Sequence, residues 1–222
     1  YCSENKVKLI YASSASVYGN NKKIFNERDV RDPINVYAYS KNLTDEYALH
    51  NGHLDGSNII GLRFFNVYGP GEKYKAQMAS PVFQFNKQIL ENSKCNIFGE
   101  YDGFAAGEHM RDFVHVDDCV NVCLWFLKQI DKSGIYNVAS GKGTTFGEVA
   151  NLVVEWHSKF GKQNAKTTII PFPDHLKSNY QSYTLADISK LREEGYFKSP
   201  IGIRTGVFRY LDALNEDLLC DR

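Results

Sequence analysis

Nothing in the 222-residue sequence approaches the run of about 18 apolar residues that a membrane span requires. The N-terminus also has neither the basic region nor the apolar core of a secretory signal. The five cysteines (Cys2, Cys95, Cys119, Cys123, Cys220) are scattered and odd in number, so a disulfide framework is not expected. Cys119 and Cys123 would share a helix face, but no second Cys/His pair completes a zinc site, and the six histidines show no metal-ligand spacing. Lys+Arg and Asp+Glu both number 26, so there is no basic excess to match a nucleic acid. No repeat or low-complexity tract occurs. Together these absences predict a cytoplasmic protein with reduced, buried thiols and no metal. Also missing is any Gly-x-Gly-x-x-Gly or Gly-x-x-Gly-x-x-Gly, the glycines that let a backbone approach a pyrophosphate at a helix N-terminus.

What is present is a core-forming composition, 43% hydrophobic and 14% aromatic, in which strand and helix signals alternate. That alternation predicts an α/β fold with a parallel sheet. Strands are expected at Val7–Ala12, Asn58–Phe65, Cys95–Phe98, Arg111–Val116, Gly134–Ala139 and Lys166–Pro171. Helices are expected over Pro33–His50, Ser80–Glu91, Asp117–Gln129, Asp187–Glu194 and Thr205–Asn215. Thr145 and Glu148 form a capping box ahead of Val149, Leu152, Val153 and Trp156, an amphipathic helical stripe. The Gly- and Ala-rich stretch Glu100–Met110 reads as a flexible loop.

Chemistry concentrates behind the first strand. Tyr37 and Lys41 are four residues apart, so a helix sets phenol and ammonium on one face. An ammonium beside a phenol favours phenolate, which can take a proton from an alcohol near neutral pH. Upstream lies Ser13-Ser14-Ala15-Ser16-Val17-Tyr18-Gly19, where a hydroxyl of Ser14 can bond the same substrate oxygen. This is the working end of a nicotinamide-dependent alcohol/ketone enzyme. The catalytic half is thus present without a cofactor-cradling half, and the expectation is the C-terminal piece of a longer polypeptide. The fold expectation is then a Rossmann-like doubly wound parallel sheet, incomplete for want of its N-terminal strands, with a smaller α/β substrate lobe. Residues 1–65 would be the second half of the cofactor domain. Residues 66–222 would be mainly the substrate lobe, with returns to the main sheet.

Four motifs in order resemble the extended short-chain dehydrogenase/reductases that act on nucleotide sugars. They are Ser14–Gly19, Tyr37–Lys41, Arg63-Phe64-Phe65-Asn66-Val67-Tyr68-Gly69-Pro70 and Arg111-Asp112-Phe113-Val114-His115-Val116-Asp117-Asp118. Within that superfamily the chain most resembles the ADP-L-glycero-D-manno-heptose 6-epimerases. Gly69–Ser80, Asn121–Leu127 and Ile170–Lys177 with Tyr180-Gln181 carry the sharper likeness. The resemblance implies NADP, with NAD as the alternative, taking a hydride from C6 of the heptose and returning it to the opposite face. It also implies a homo-oligomer, a pentamer in known cases, serving lipopolysaccharide core biosynthesis.

By the same resemblance Tyr37 and Lys75 are the two proton-handling groups, while Lys41 bonds the nicotinamide ribose and Ser14 the reacting oxygen. A lysine serves such a role where burial or a neighbouring cation disfavours its ammonium. Val67 and Lys75 would lie beside the cofactor. Asn66, Gln77, Gln84, Tyr180 and the Phe98-Gly99-Glu100-Tyr101 loop would face substrate. Arg111 suits the diphosphate, since a guanidinium fork fits phosphate bidentately, with a strand-end ion pair to Asp112 or Glu108 as its alternative. For Tyr180 the alternative is core packing. Departures are Gly71 in place of arginine, Gln77 in place of serine, Gln84 in place of histidine, and a lengthened loop between Phe98 and Arg111. A dehydratase would need an acid just after the serine, where Ala15 and Ser16 stand. The alternatives are a UDP-hexose 4-epimerase, which has no use for Lys75, and a non-catalytic fragment that binds a nucleotide sugar.

Overall fold

The computed structural model describes residues 1–50, 57–160 and 164–216; His53 and Cys220 lie outside them. The first strand, β1 (Leu9–Ser14), reaches two residues further than its apolar run predicts, so the serines belong to the strand end. After β2 (Ile24–Phe25) comes α1 (Val36–His50), which starts later than Pro33. Asn35 caps it, its side-chain oxygen accepting from the Ala38 amide at 2.8 Å. β3 (Ile59–Phe64) is buried along nearly its whole length, as a central parallel strand must be. β4 (Asn66–Tyr68) follows, then a turn over Glu72–Met78, α2 (Pro81–Asn92) and β5 (Lys94–Phe98).

Next come β6 (Met110–His115) and α3 (Val116–Lys128), with Val116 inside the helix because His115 caps it: Nδ1 accepts from the Asp117 amide at 3.2 Å. β7 (Gly134–Val138), β8 (Gly143–Thr145), α4 (Phe146–Phe160) and β9 (Lys166–Ile170) continue the alternation. The capping box forms as expected: Thr145 N–H donates to Glu148 at 2.7 Å and Glu148 N–H to Thr145 Oγ1 at 3.0 Å. β10 (Leu185–Ala186), α5 (Ser189–Glu193) and α6 (Ile203–Leu214) close the described chain. The helix expected from Asp187 starts at Ser189, because Asp187 extends β10 with an amide bond to Phe25 and accepts the Ser189 amide through its carboxylate at 2.9 Å.

The principal sheet is parallel with order β1-β3-β7, so the chain returns to it at β7 after forming β4, β5 and β6. Its register pairs Ser14 with Phe64 and Phe64 with Val138, so the three strands finish level at their carboxyl ends. A crevice outside such ends is where open α/β sheets take ligands. The other groups are β4-β6-β8, β5-β9 and β10-β2. One core joins β3, β7, α3 and α5; a second, around Trp156, joins α2, α4 and α6. Glu100–Met110 is not free: Tyr101 and Phe104 exchange amide bonds, and Gly107 N–H donates to Phe98 at 3.0 Å.

The Arg63–Pro70 and Arg111–Asp118 motifs meet at one glycine. A Cβ at Gly206, in α6, would lie 2.0 Å from the Tyr68 hydroxyl and 3.2 Å from His115 Cδ2. Gly206→Ala is therefore expected to destabilise the chain by about 1–3 kcal/mol despite alanine's better helix propensity. Tyr68→Phe should recover part of that, because the hydroxyl has no hydrogen-bond partner among the described residues and its removal leaves Cζ at 2.9 Å. Thermal unfolding of both variants checks this; a Gly206→Ala midpoint at or above wild type would refute the close approach.

Candidate active site at the strand ends

α1 lies against β1 because Lys41 and Asp45, on one helical face with Tyr37, bond to that strand. Lys41 Nζ donates to the Ala12 carbonyl at 3.0 Å and lies 5.8 Å from the Tyr37 ring centroid. Asp45 is fully buried and accepts from Ser13 Oγ at 3.0 Å, Tyr11 Oη at 3.0 Å and Arg63 Nε at 2.8 Å. A helix face thus binds the strand that ends in Ser14. Ser14 accepts from the Ser16 amide at 3.2 Å and the Ser16 hydroxyl at 2.9 Å, closing a single 3₁₀ turn over Ala15–Tyr18. Tyr37 is 57% exposed at the open end of the same face, with its hydroxyl available to a ligand. The arrangement offers a phenol, an ammonium and a serine hydroxyl around one strand end.

Beyond β4, Lys75 sits on the exposed Glu72–Met78 turn. Its side chain is 51% exposed, and the carboxylate it meets among the described residues is that of Glu72, 3.6 Å away. No bond joins it to Tyr37 among the described residues. Its turn is bonded to α2 and α6, whereas α1 is bonded to β1, β3 and, through Arg31 and Glu46, the loop before it. Gln77 is exposed on the turn, and Gln84 on α2 donates Nε2 to the Ala76 carbonyl at 2.7 Å. Asn66 accepts from Thr184 Oγ1 at 3.2 Å, and Val67 packs on the main-sheet core.

Of the residues expected to face substrate, Gln84, Phe98 and Tyr180 line a cavity of about 270 Å³ together with His109 and Phe146, whereas Asn66, Gln77, Gly99, Glu100, Tyr101 and Arg111 are not in its lining. Tyr101 stacks on Phe172 with centroids 4.1 Å apart and donates its hydroxyl to the Lys177 carbonyl at 2.6 Å. Phe98 meets Tyr180 edge-on at 6.3 Å. Gly99 closes on β9, donating its amide to Ile170 at 2.8 Å, and Glu100 is exposed. Arg111 lies over the Tyr180 ring at 5.0 Å and the Phe146 ring at 5.4 Å. Burial pulls its pKa down, which a bound anion would reverse. The alternative ion pair is absent: among the described residues Arg111 meets no carboxylate. Asp112 instead accepts from Ser140 N–H and Oγ at 2.8 and 2.6 Å. Burial pushes the Asp112 carboxyl up to about 6 against those bonds.

Sequence reasoning passed over four members of these groups. Asp45 stands one turn beyond Lys41, so extending the Tyr37–Lys41 spacing by four would have found it. Glu72 precedes Lys75 by three. Phe172 and His109 had only the aromatic density around them as a signal.

Among the described residues no helix is long and apolar enough to cross a membrane, and no group of three or more His, Cys, Asp or Glu could hold a metal ion. The chain is 44% identical over 216 residues to ADP-L-glycero-D-manno-heptose-6-epimerase of Alkalilimnicola ehrlichii, covering 96% of this chain. It spans 65% of that relative's length. The Helicobacter pylori enzyme of that name superposes with a TM-score of 0.78 at 31% identity, covering 96% of this chain and 61% of its own. Thermus thermophilus UDP-glucose 4-epimerase, in complex with NAD, follows with a TM-score of 0.75 at 25% identity, covering 95% and 65%. A profile of the NAD dependent epimerase/dehydratase family matches residues 1–139, the stretch that holds the level strand ends, the Tyr37–Lys41 face and the Lys75 turn. The chain belongs to that family.

Proposed function

We propose that this chain supplies the catalytic and substrate-binding part of an ADP-heptose 6-epimerase, an isomerase of nucleotide sugars. The observation that carries the chemistry is the Tyr37–Lys41 face held against the Ser14 end of β1. The residues present fit the nicotinamide side of a cofactor: Lys41 Nζ keeps donors to spare beside an exposed phenol, at strand ends where α/β sheets take ligands. A phosphate-cradling glycine loop is not among them. A nicotinamide bound there would supply reversible hydride transfer at C6, from one face and back to the other. Tyr37 handles the proton of one epimer's hydroxyl, Lys75 that of the other's. Ser14 Oγ bonds the reacting oxygen, Lys41 the ribose, and Arg111 the diphosphate. Val67 borders the cofactor, while Asn66, Gln77, Gln84 and the Phe98–Tyr101 loop with Tyr180 border the substrate.

Support for the heptose comes from the two heptose-epimerase relatives and from Lys75 itself, which a 4-epimerase would leave idle. NADP as the cofactor, a homo-oligomeric state, a cytoplasmic location and a place in lipopolysaccharide core synthesis rest on resemblance to those enzymes. The deciding experiment offers the full-length polypeptide ADP-D-glycero-D-manno-heptose and UDP-glucose separately and follows the sugar by NMR. Inversion at C6 of the heptose is expected, with UDP-glucose unchanged. Inversion at C4 of the hexose, or no turnover of either, overturns the reading.

A further inference from the structure

Glu72 is a buried carboxylate on an exposed turn. Lys73, Tyr74, Lys75 and Ala76 are all exposed, yet Glu72 is only 4% exposed. Its Oε1 accepts the Ser80 amide at 3.1 Å; Oε2 accepts the Ser80 hydroxyl at 2.6 Å and the Tyr210 hydroxyl at 3.1 Å. One side chain thus ties the turn to the start of α2 and to α6. All three donors are neutral, so a glutamine could serve much of the same geometry without the cost of burying a charge. What an amide cannot do is attract a cation. The cation that Glu72 meets among the described residues is Lys75, 3.6 Å away.

The turn is braced on its other side too. Ala76, next to Lys75, has φ 49° and ψ −119°, a conformation L residues rarely adopt. Gln84 Nε2 holds its carbonyl at 2.7 Å. Strain of this kind persists where surrounding bonds over-determine a segment, and here they do so on both sides of one lysine.

We propose that Glu72 is the positioning residue for Lys75: its anchored carboxylate fixes the turn and draws the ammonium to one place. This rests on Lys75 being the second proton-handling group. The test compares Glu72→Gln, Lys75→Met and the double variant in the full-length polypeptide with ADP-D-glycero-D-manno-heptose. Glu72→Gln is expected to lower kcat about tenfold with KM within about twofold, since misplacement of a reacting group costs rate more than binding. Added to Lys75→Met, it should change nothing further. If it lowers the rate as much without Lys75 as with it, Glu72 is merely structural and the proposal falls while the Lys75 reading stands. If Lys75→Met epimerises like wild type, the Lys75 reading fails first and takes the proposal with it. Should Glu72→Gln not fold, competitive acetylation of the wild-type protein decides. Lys75 should then react about threefold slower than Lys73 at low salt, with the gap closing at high salt. Equal reactivity at low salt overturns the pairing.

Discussion

Arg63→Met is expected to destabilise the chain by about 3–5 kcal/mol, the cost of leaving one partner of a buried ion pair alone. Both side chains of the Arg63–Asp45 pair are fully buried, with Nε 2.8 Å from Oδ2. Arg63 Nη1 also donates to the Tyr18 hydroxyl at 2.9 Å and the Glu27 carbonyl at 3.1 Å, and its guanidinium lies 4.9 Å from the Tyr18 ring centroid. Tyr18 in turn donates to Asn137 Oδ1 at 2.6 Å, so the network runs from α1 through β3 to β7. Burial raises the Tyr18 phenol to about 12, although Arg63 works against that rise, so the group stays a neutral donor. Methionine fills much of the arginine's volume but leaves the Asp45 carboxylate with two neutral donors, Tyr11 and Ser13, and no charge. Urea unfolding should show the midpoint falling with an unchanged slope. Asp45→Leu combined with Arg63→Met should recover much of the loss, because a well-packed apolar pair avoids the desolvation that the ions incur. A loss below about 1 kcal/mol would place the pair at a solvated surface and remove its claim to seat α1.

That pair also shows where the sequence speaks and where it does not. The Tyr37–Lys41 spacing, the Thr145–Glu148 box and the apolar stripe of α4 are local patterns, and each appears where the periodicity puts it. Local signals failed at element ends decided by distant partners. β1 runs on through Ser13 and Ser14 because β3 continues beside them, and Ser13 finds Asp45 across the helix. The two-residue strands β2 and β10 pair across about 160 positions and are too short to show any period. α6 begins at Ile203 behind Gly202, which has no side chain to announce a cap. The Glu100–Met110 segment has a loop's composition, yet its reciprocal Tyr101–Phe104 bonds and the contact of Gly107 with Phe98 hold it in place. Asp45 and Glu72 carry no local signal of burial, because the residues that close over them, Arg63, Ser80 and Tyr210, come from other elements.

Tyr37→Phe, which removes a single oxygen, should lower epimerisation by about 10²–10⁴-fold, the usual contribution of a positioned acid or base. The fold has little stake in that hydroxyl: the side chain is 57% exposed, and no hydrogen bond holds the oxygen among the described residues. The ring remains to lie beside Lys41 at 5.8 Å, and Lys41 keeps its bond to Ala12. Thermal stability should therefore match wild type, which separates this variant from Arg63→Met. In a site with proton handlers on two sides of the reacting carbon, the loss should also be directional. If, as proposed, one epimer's hydroxyl faces Tyr37 and the other's faces Lys75, Tyr37→Phe should block oxidation of the first while still oxidising the second. Presenting each pure ADP-heptose epimer to the variant and following nicotinamide reduction in the near ultraviolet reads this directly, and Lys75→Met should give the mirror result. Equal reduction by both epimers in either variant would mean one group serves both faces. Epimerisation within about threefold of wild type in Tyr37→Phe would move the chemistry away from α1 altogether.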